Sequence, residues 1–486
     1  MWTLTMLYIH DNKKMKRKLV ILTAIAAATV FSSLAQSQNS GRTERHNLAQ
    51  AAAYKALYTC SGIFDADLNA ERLQADIFDG AGSSTRDAMA HMTPHIDFEK
   101  RLVSVSYVDN MPPRIAAWRP HLGCAQLPIG AGFEAVAQLP RLPTHLERPD
   151  FDNEDWPQGD RNAEADLPSS QHAKLSSVFD SAFSDAYGGV MWGLVAVKDG
   201  KIVMERYSRG YDMHTPQRTN SMAKSLAATL VGAAVHQGVL DIYAPAPIPE
   251  WQGTGDPRGA ITINNLLNMA SGLYTEGNGN PQSLLYFGGA AATERSAVNI
   301  LDSMPGERWV YAGSDTILSL YALRSVLQDE EEYLRFPFEE VMWKIGMTRT
   351  TPETDWDGNF MMSGQLWSTA RDFARFGLLY LNDGVWNGER ILPVGWNEYV
   401  STPAPAQPPV GRYSDGNGYG AQFWLYSEEL GHSVNFYTAR GARGQLAMIF
   451  PGENVVIVRR GFDASGSSSF RAAEFAVDAI AALTAE

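Results

Sequence analysis

Ser221-Met222-Ala223-Lys224-Ser225-Leu226-Ala227-Ala228-Thr229-Leu230-Val231-Gly232-Ala233-Ala234-Val235-His236-Gln237-Gly238 is the stretch on which the reading of this chain turns. Met222 to Gln237 is rich in Ala and Leu and is closed by Gly238, which predicts a buried helix. One lysine interrupts it. An ammonium group in an apolar helix needs either a partner or a chemical task. Residues three apart on a helix are near neighbours on one face, so the Lys224 amine can reach the Ser221 hydroxyl. Partial burial lowers a lysine pKa, and a neutral amine can take the hydroxyl proton. The helix start adds a positive dipole end and free N–H groups, which favour an oxyanion forming beside the serine. Ser-x-x-Lys alone is weak, because it recurs by chance as a helix start with an exposed lysine. The surrounding sequence has to decide.

Three stretches do so. Arg218-Thr219-Asn220-Ser221-Met222-Ala223-Lys224-Ser225 resembles the first motif of class C serine β-lactamases, related esterases and 6-aminohexanoate-dimer hydrolases. Ile261-Thr262-Ile263-Asn264-Asn265-Leu266-Leu267-Asn268-Met269-Ala270-Ser271-Gly272-Leu273 resembles that family's I-T-I-x-x-L-L-x-x-x-S-G-L segment. Gly364 to Gly377 resembles its G-x-x-x-S-T-A-x-D-x-A-R-F-G segment, in the family's order. The resemblance covers roughly residues 180–485. It implies Ser221 as acylated nucleophile and Lys224 as base. It also implies Tyr311, in Tyr311-Ala312-Gly313, as the proton-relaying phenol of a Tyr-x-Asn motif, with Gly313 in place of the asparagine. A phenol is a poor base at its ordinary pKa of ~10 and needs the lysine beside it.

The family's third motif, Lys-Thr-Gly or His-Thr-Gly, falls on Ala439-Arg440-Gly441. Its cationic first residue is gone. The backbone N–H that completes the oxyanion hole would be that of Ala442, a role indifferent to side chain. The implied substrate-binding set is Gly313, Arg440, Gly441, Arg443 and Gln445. Arg440 or Arg443 could supply the missing charge; ordinary surface arginines are the alternative. These departures weaken the case for β-lactams and favour hydrolysis of an amide or ester. A penicillin-binding-like or non-catalytic protein that holds cell-wall peptide is the competing expectation. Tyr286, Phe287, Trp309, Trp367 and Trp424 are candidate cleft aromatics, with core packing as the alternative.

Outward from the motif, Met191 to Lys198 and Lys201 to Tyr207 are apolar-rich runs joined by Asp199-Gly200, a hairpin. Lys174 to Tyr187 suits a helix, as do Ile263 to Met269 behind a Thr262 cap, Ser314 to Leu327, and Phe470 to Leu483. Leu446 to Phe450 and Val455 to Arg459 read as strands. Strands at both ends with helices between give an α+β, β-lactamase/transpeptidase-like expectation: an antiparallel sheet flanked by helices, plus a helical region. This unit occupies 168–486. Residues 139–167, rich in Pro, Asp, Asn and Glu, form a linker or extended wrap. Residues 36–138 form a small N-terminal α+β accessory domain containing a strand from Leu102 to Val108.

Residues 1–35 read as a signal peptide: Lys13, Lys14, Lys16, Arg17 and Lys18, a short apolar run from Leu19 to Phe31, then Ser33-Leu34-Ala35. An uncleaved anchor is the alternative, but the run is shorter than the ~20 residues that span a bilayer. Removing 1–35 moves the formal charge from -14 to -18. An acidic protein repels nucleic acid and anionic membrane, so the expected partner is a small molecule, with no nucleic acid and no stable membrane insertion after processing. A periplasmic or secreted location follows. In such an oxidising compartment Cys60 and Cys124, the two cysteines of the chain, are expected to pair; two buried free thiols are the alternative. No cofactor is expected. His91 and His95 with Asp97 have near-ligand spacing, but Pro94 breaks a shared helix face and no metal is expected. A Ser-His-Asp site has no Gly-x-Ser-x-Gly elbow to support it.

Overall fold

Asp199 and Gly200 both adopt positive φ, 49° and 79°, as a two-residue turn of primed type requires, and they join Met191–Lys198 to Lys201–Tyr207 in an antiparallel hairpin. In the computed structural model, which describes residues 44–275, 282–327, 329–409, 417–463 and 469–485, this hairpin forms one edge of a seven-stranded antiparallel sheet. The expected signal peptide lies outside the described residues. Strand order runs Gly418–Tyr419, Trp424–Tyr426, Phe436–Gly441, Gln445–Phe450, Val455–Gly461, Met191–Lys198, Lys201–Tyr207. The chain's C-terminal strands thus pair directly with its hairpin.

The central strands are apolar on both faces because both are covered. Val195, Val197, Ala447, Ile449, Val456 and Val458 face a core shared with the helices Met222–His236 and Ala370–Leu381. Their alternates Leu194, Ala196, Leu446, Met448 and Ile457 face the helices Ser169–Ala182 and Ala472–Leu483. Period-two alternation therefore serves two cores rather than one core and solvent. Fully burying one such side chain contributes ~1.5–3 kcal/mol, so the sheet is the rigid floor of the molecule.

The helical region is anchored by Thr262. Its hydroxyl accepts from the Asn265 N–H while the Asn265 side chain accepts from the Thr262 N–H, a capping box that starts Ile263–Leu267. Ser271 donates to Asp315 (3.0 Å), tying this segment to the helix Gly313–Leu327.

The N-terminal region has a helix over residues 44–64 packed on a four-stranded antiparallel meander of Pro94–Asp97, Leu102–Val105, Arg114–Arg119 and Gly123–Gln126. The Leu102 strand ends at Val105, where pairing with Arg114 ends, three residues earlier than expected. Cys60 and Cys124 form a disulfide between helix and last strand. Residues 139–167 run along the larger unit through a series of turns. Trp156 is buried there and donates to the Gly200 carbonyl, while Asp160 pairs with Arg371 (3.1 Å) and Arg375 (2.8 Å). Among the described residues no helix is long and apolar enough to cross a membrane.

Candidate active site

The backbone before Ser221 is clamped. Gln217–Arg218 pairs with Leu366–Ser368, and the Thr219 N–H donates to the Leu366 carbonyl. Arg460, fully buried on the sheet, donates to the carbonyls of Gln217 (2.9 Å), Arg218 (3.1 Å) and Ser368 (2.8 Å) and to Gln445 Oε1 (2.8 Å). Asn220 then takes a left-handed φ of 51°, and its amide donates to the Ala442 carbonyl (3.0 Å). Asparagine tolerates this conformation better than most residues. The turn delivers Ser221 as the cap of the Met222–His236 helix.

One turn on, Lys224 is buried, and its amine lies 3.5 Å from Ser221 Oγ. That contact is long, as catalytic hydrogen bonds often are before substrate binds. The amine also donates a short hydrogen bond to the Ser363 carbonyl and lies 5.0 Å from the centroid of the Tyr311 ring. Among the described residues no carboxylate pairs with it. Burial alone pulls its pKa down to about 7. Tyr311 is seated among Trp309 (6.0 Å), Trp424 (5.7 Å) and Tyr419 (6.2 Å), measured between ring centroids.

Across from the helix start, Phe436–Gly441 ends at Gly441. A Cβ there would lie 2.2 Å from the Thr219 carbonyl oxygen and 3.2 Å from the Met222 nitrogen, so only glycine allows the strand this close. The approach puts the backbone of Ala442, an exposed residue, beside the Ser221 turn. Ser221, Lys224, Tyr311, Gly441 and Ala442, which lie far apart in sequence, converge on one place.

Other expected site residues fall differently. Gln445 is buried in the sheet, donating to the Gly461 carbonyl and accepting from Arg460, so both ends of its amide are engaged by the clamp. Arg443 turns onto the accessory domain, its guanidinium against Gly80 and 4.8 Å from the Phe462 ring centroid. Arg440 instead lies along the aromatic wall, bonded to Tyr426 Oη (3.1 Å) and 5.7 Å from the Trp424 ring centroid. Gly313 begins its helix in a tight place: a Cβ would sit 3.1 Å from Tyr286 Oη, 3.2 Å from Leu285 Cδ2 and 3.3 Å from Ser363 Oγ, and these neighbours would have to give way by a few tenths of an ångström. Trp367, Trp309, Trp424 and Phe287 are core residues, at most 9% exposed. His95 and Asp97 sit on a strand, and the Asp97 carboxylate accepts from the Lys100 N–H. Ser363, Asn220 and Arg460 carried no sequence signal of their role, since each acts through backbone geometry assembled across the fold.

The sequence profile of the beta-lactamase family matches residues 184–460. The chain belongs to the beta-lactamase family. It is accordingly a serine hydrolase, and the accessory domain lies outside the matched family region. The 6-aminohexanoate-dimer hydrolase of Paenarthrobacter ureafaciens is 24% identical to this beta-lactamase-family chain over 289 residues, covering 54% of the chain and 71% of the relative. The fold is shared with a family VIII carboxylesterase of known structure, with TM-score 0.52, 16% identity, and coverage of 65% of this chain and 98% of that one.

Proposed function

We propose that the protein hydrolyses an amide or ester through an acyl-enzyme on Ser221. Neutral Lys224 takes the hydroxyl proton as Oγ attacks the carbonyl carbon. The oxyanion rests on the N–H groups of Ser221 and Ala442. Collapse breaks the C–N or C–O bond, and the leaving amine or alcohol receives the Lys224 proton through Tyr311. Water then attacks the acyl ester, its proton following the same route back, and Ser221 regains its hydrogen. The observation that carries this reading is the buried Lys224 amine, without a carboxylate partner among the described residues, facing both Ser221 Oγ and the Tyr311 ring. The replaced third-motif cation and the likeness to a 6-aminohexanoate-dimer hydrolase support an amide or ester over a β-lactam. The disulfide and the basic-apolar N-terminal sequence support an exported enzyme.

A fluorophosphonate probe should add its mass to the wild type and not to Ser221→Ala. A panel of p-nitrophenyl esters, short linear amides and nitrocefin should show turnover on the first two classes, with kcat/KM rising through about pH 7 as Lys224 loses its proton. Absence of a Ser221 adduct with any acylating probe would refute the mechanism and leave a binding protein.

A further inference from the structure

Where the family's second motif carries an asparagine, this chain has Gly313, and the vacated space is filled. Tyr286, from the helix Gln282–Phe287, places its hydroxyl 3.1 Å from the position of a Gly313 Cβ and 3.2 Å from that of a Gly364 Cβ. Two glycines on separate segments thus make room for one phenol. Its Oη is 2.5 Å from Ser363 Oγ, and the carbonyl of that same Ser363 accepts from the Lys224 amine. Ser363 is fully buried; the peptide carrying its carbonyl is held by the Gly364 N–H, which donates to the Met361 carbonyl (3.1 Å), and its side chain by Tyr286.

The phenol is itself held by the accessory domain. Next in sequence, Phe287 packs on Tyr54 (5.3 Å) and Tyr58 (6.0 Å), and its carbonyl accepts from Arg114 (3.1 Å). Arg218, three residues before the nucleophile, donates to Tyr58 and lies 3.9 Å from that ring's centroid. Among the described residues, charged and titratable groups facing this cluster are Arg218 and Tyr58 beside Tyr286, Tyr54 and Glu353 beside Tyr58 and Arg218, and Tyr311 beside Lys224.

We infer that Tyr286, seated by the accessory domain, is a positioning residue that orients the Ser363 peptide and through it aims the Lys224 amine at Ser221. The inference rests on Lys224 being the base. It makes the accessory domain part of the active-site scaffold: the domain holds the phenol that occupies the place of the missing asparagine.

The test compares Tyr286→Phe, Ser363→Ala and the double variant in the full-length protein, on whichever ester or amide the wild type turns over. Tyr286→Phe should lower kcat by about tenfold or more with KM nearly unchanged, because small misplacements of a proton acceptor cost rate rather than binding. Freed from a fixed carbonyl acceptor, the amine should hold its proton less well, moving the acid limb of the pH profile down by roughly half a unit. Ser363→Ala should behave alike, and the double variant should be no worse than the poorer single, as one shared chain requires. Wild-type kcat with an unmoved limb in Tyr286→Phe, or a rise in KM alone, overturns the inference. So does full additivity of the pair. Fluorophosphonate labelling of Ser221 in the wild type keeps the two readings apart: labelling with an unaffected Tyr286→Phe rejects this inference alone, and no labelling rejects the base assignment beneath it. Should Tyr286→Phe not fold, Ser363→Ala carries the same rate and pH readouts.

Discussion

For Lys224, the role proposed in the reaction and the cost to the fold have one origin. Burial disfavours its charged form and brings the pKa from 10.5 to about 7. The unfolded chain, with the ordinary value, binds the proton more readily. Stability contributed at this position is therefore lost as pH falls from 10.5 towards 7, and the full penalty stays below that. Lys224→Met removes the titrating group while keeping an unbranched side chain. It should abolish turnover yet melt above the wild type at pH 6, with the difference shrinking towards pH 10. Thermal melts across that range check it, and a variant less stable than wild type at pH 6 would show that the hydrogen bonds to Ser221 and Ser363 outweigh desolvation. Ser221, Lys224 and Tyr311 stand out in sequence because each sits in a local run that resembles a family motif, and the fold brings them together. Tyr286 was legible only as an aromatic, since what makes it matter is the emptiness of Gly313 and Gly364, and neither position names the group that enters the space.

Elements were legible where local chemistry alone sets their limits. The Met191–Tyr207 hairpin and the Met222–His236 helix fall where Asp199-Gly200 and the apolar run put them. The helix expected over Lys174 to Tyr187 instead spans Ser169–Ala182. Phe179, Phe183 and Tyr187 keep the helical spacing of four, but Tyr187 is buried against Phe470 and Phe475 after the helix has ended, so a tertiary contact imitates helical periodicity. Nor does sequence disclose that the segment before Ser221 is held by another element. Arg460 reaches from the strand Val455–Gly461 to three carbonyls and one side-chain amide, and burial brings its pKa down to about 9. Arg460→Met keeps the buried stem but orphans those acceptors. Stability should fall by about 3 kcal/mol, the usual scale for breaking a buried charged network. Urea denaturation should show this as a lower midpoint with little change in slope, and kcat should fall with it because Gln217 and Arg218 no longer fix the turn before Ser221. An unchanged midpoint would mean that water replaces the guanidinium at little cost.

At the scale of the whole molecule, the accessory domain and the hydrolase meet through buried carboxyls. Glu353, which follows the short strand Thr351–Pro352, accepts from Ser61 Oγ on the accessory helix and from the Cys124 N–H (3.4 Å) beside the disulfide. Asp65, on the accessory side, accepts from Trp118 (2.8 Å), and an oxygen of each carboxyl lies within 4.8 Å of the other. Cys124 Sγ also lies in this cluster, but its disulfide excludes it as a thiolate ligand. Burial, and for Asp65 also the facing Glu353 charge, raises both carboxyl pKa values. A raised carboxyl pKa means that the unfolded state ionises first as pH rises. Stability at this interface is thus complete in acid and declines as pH climbs above the ordinary carboxyl range towards and through neutrality. Glu353→Gln keeps the acceptor for Ser61 and removes the ionisation. It should melt with the wild type at pH 4 and above it at pH 8. Because the accessory domain seats Phe287 and Tyr286, the same variant should retain activity to a higher temperature at pH 8. Equal melting temperatures at both values would mean that Glu353 ionises in the folded protein as readily as in the unfolded chain, with the nearby guanidinium groups of Arg119 and Arg218 compensating its charge across the domain boundary.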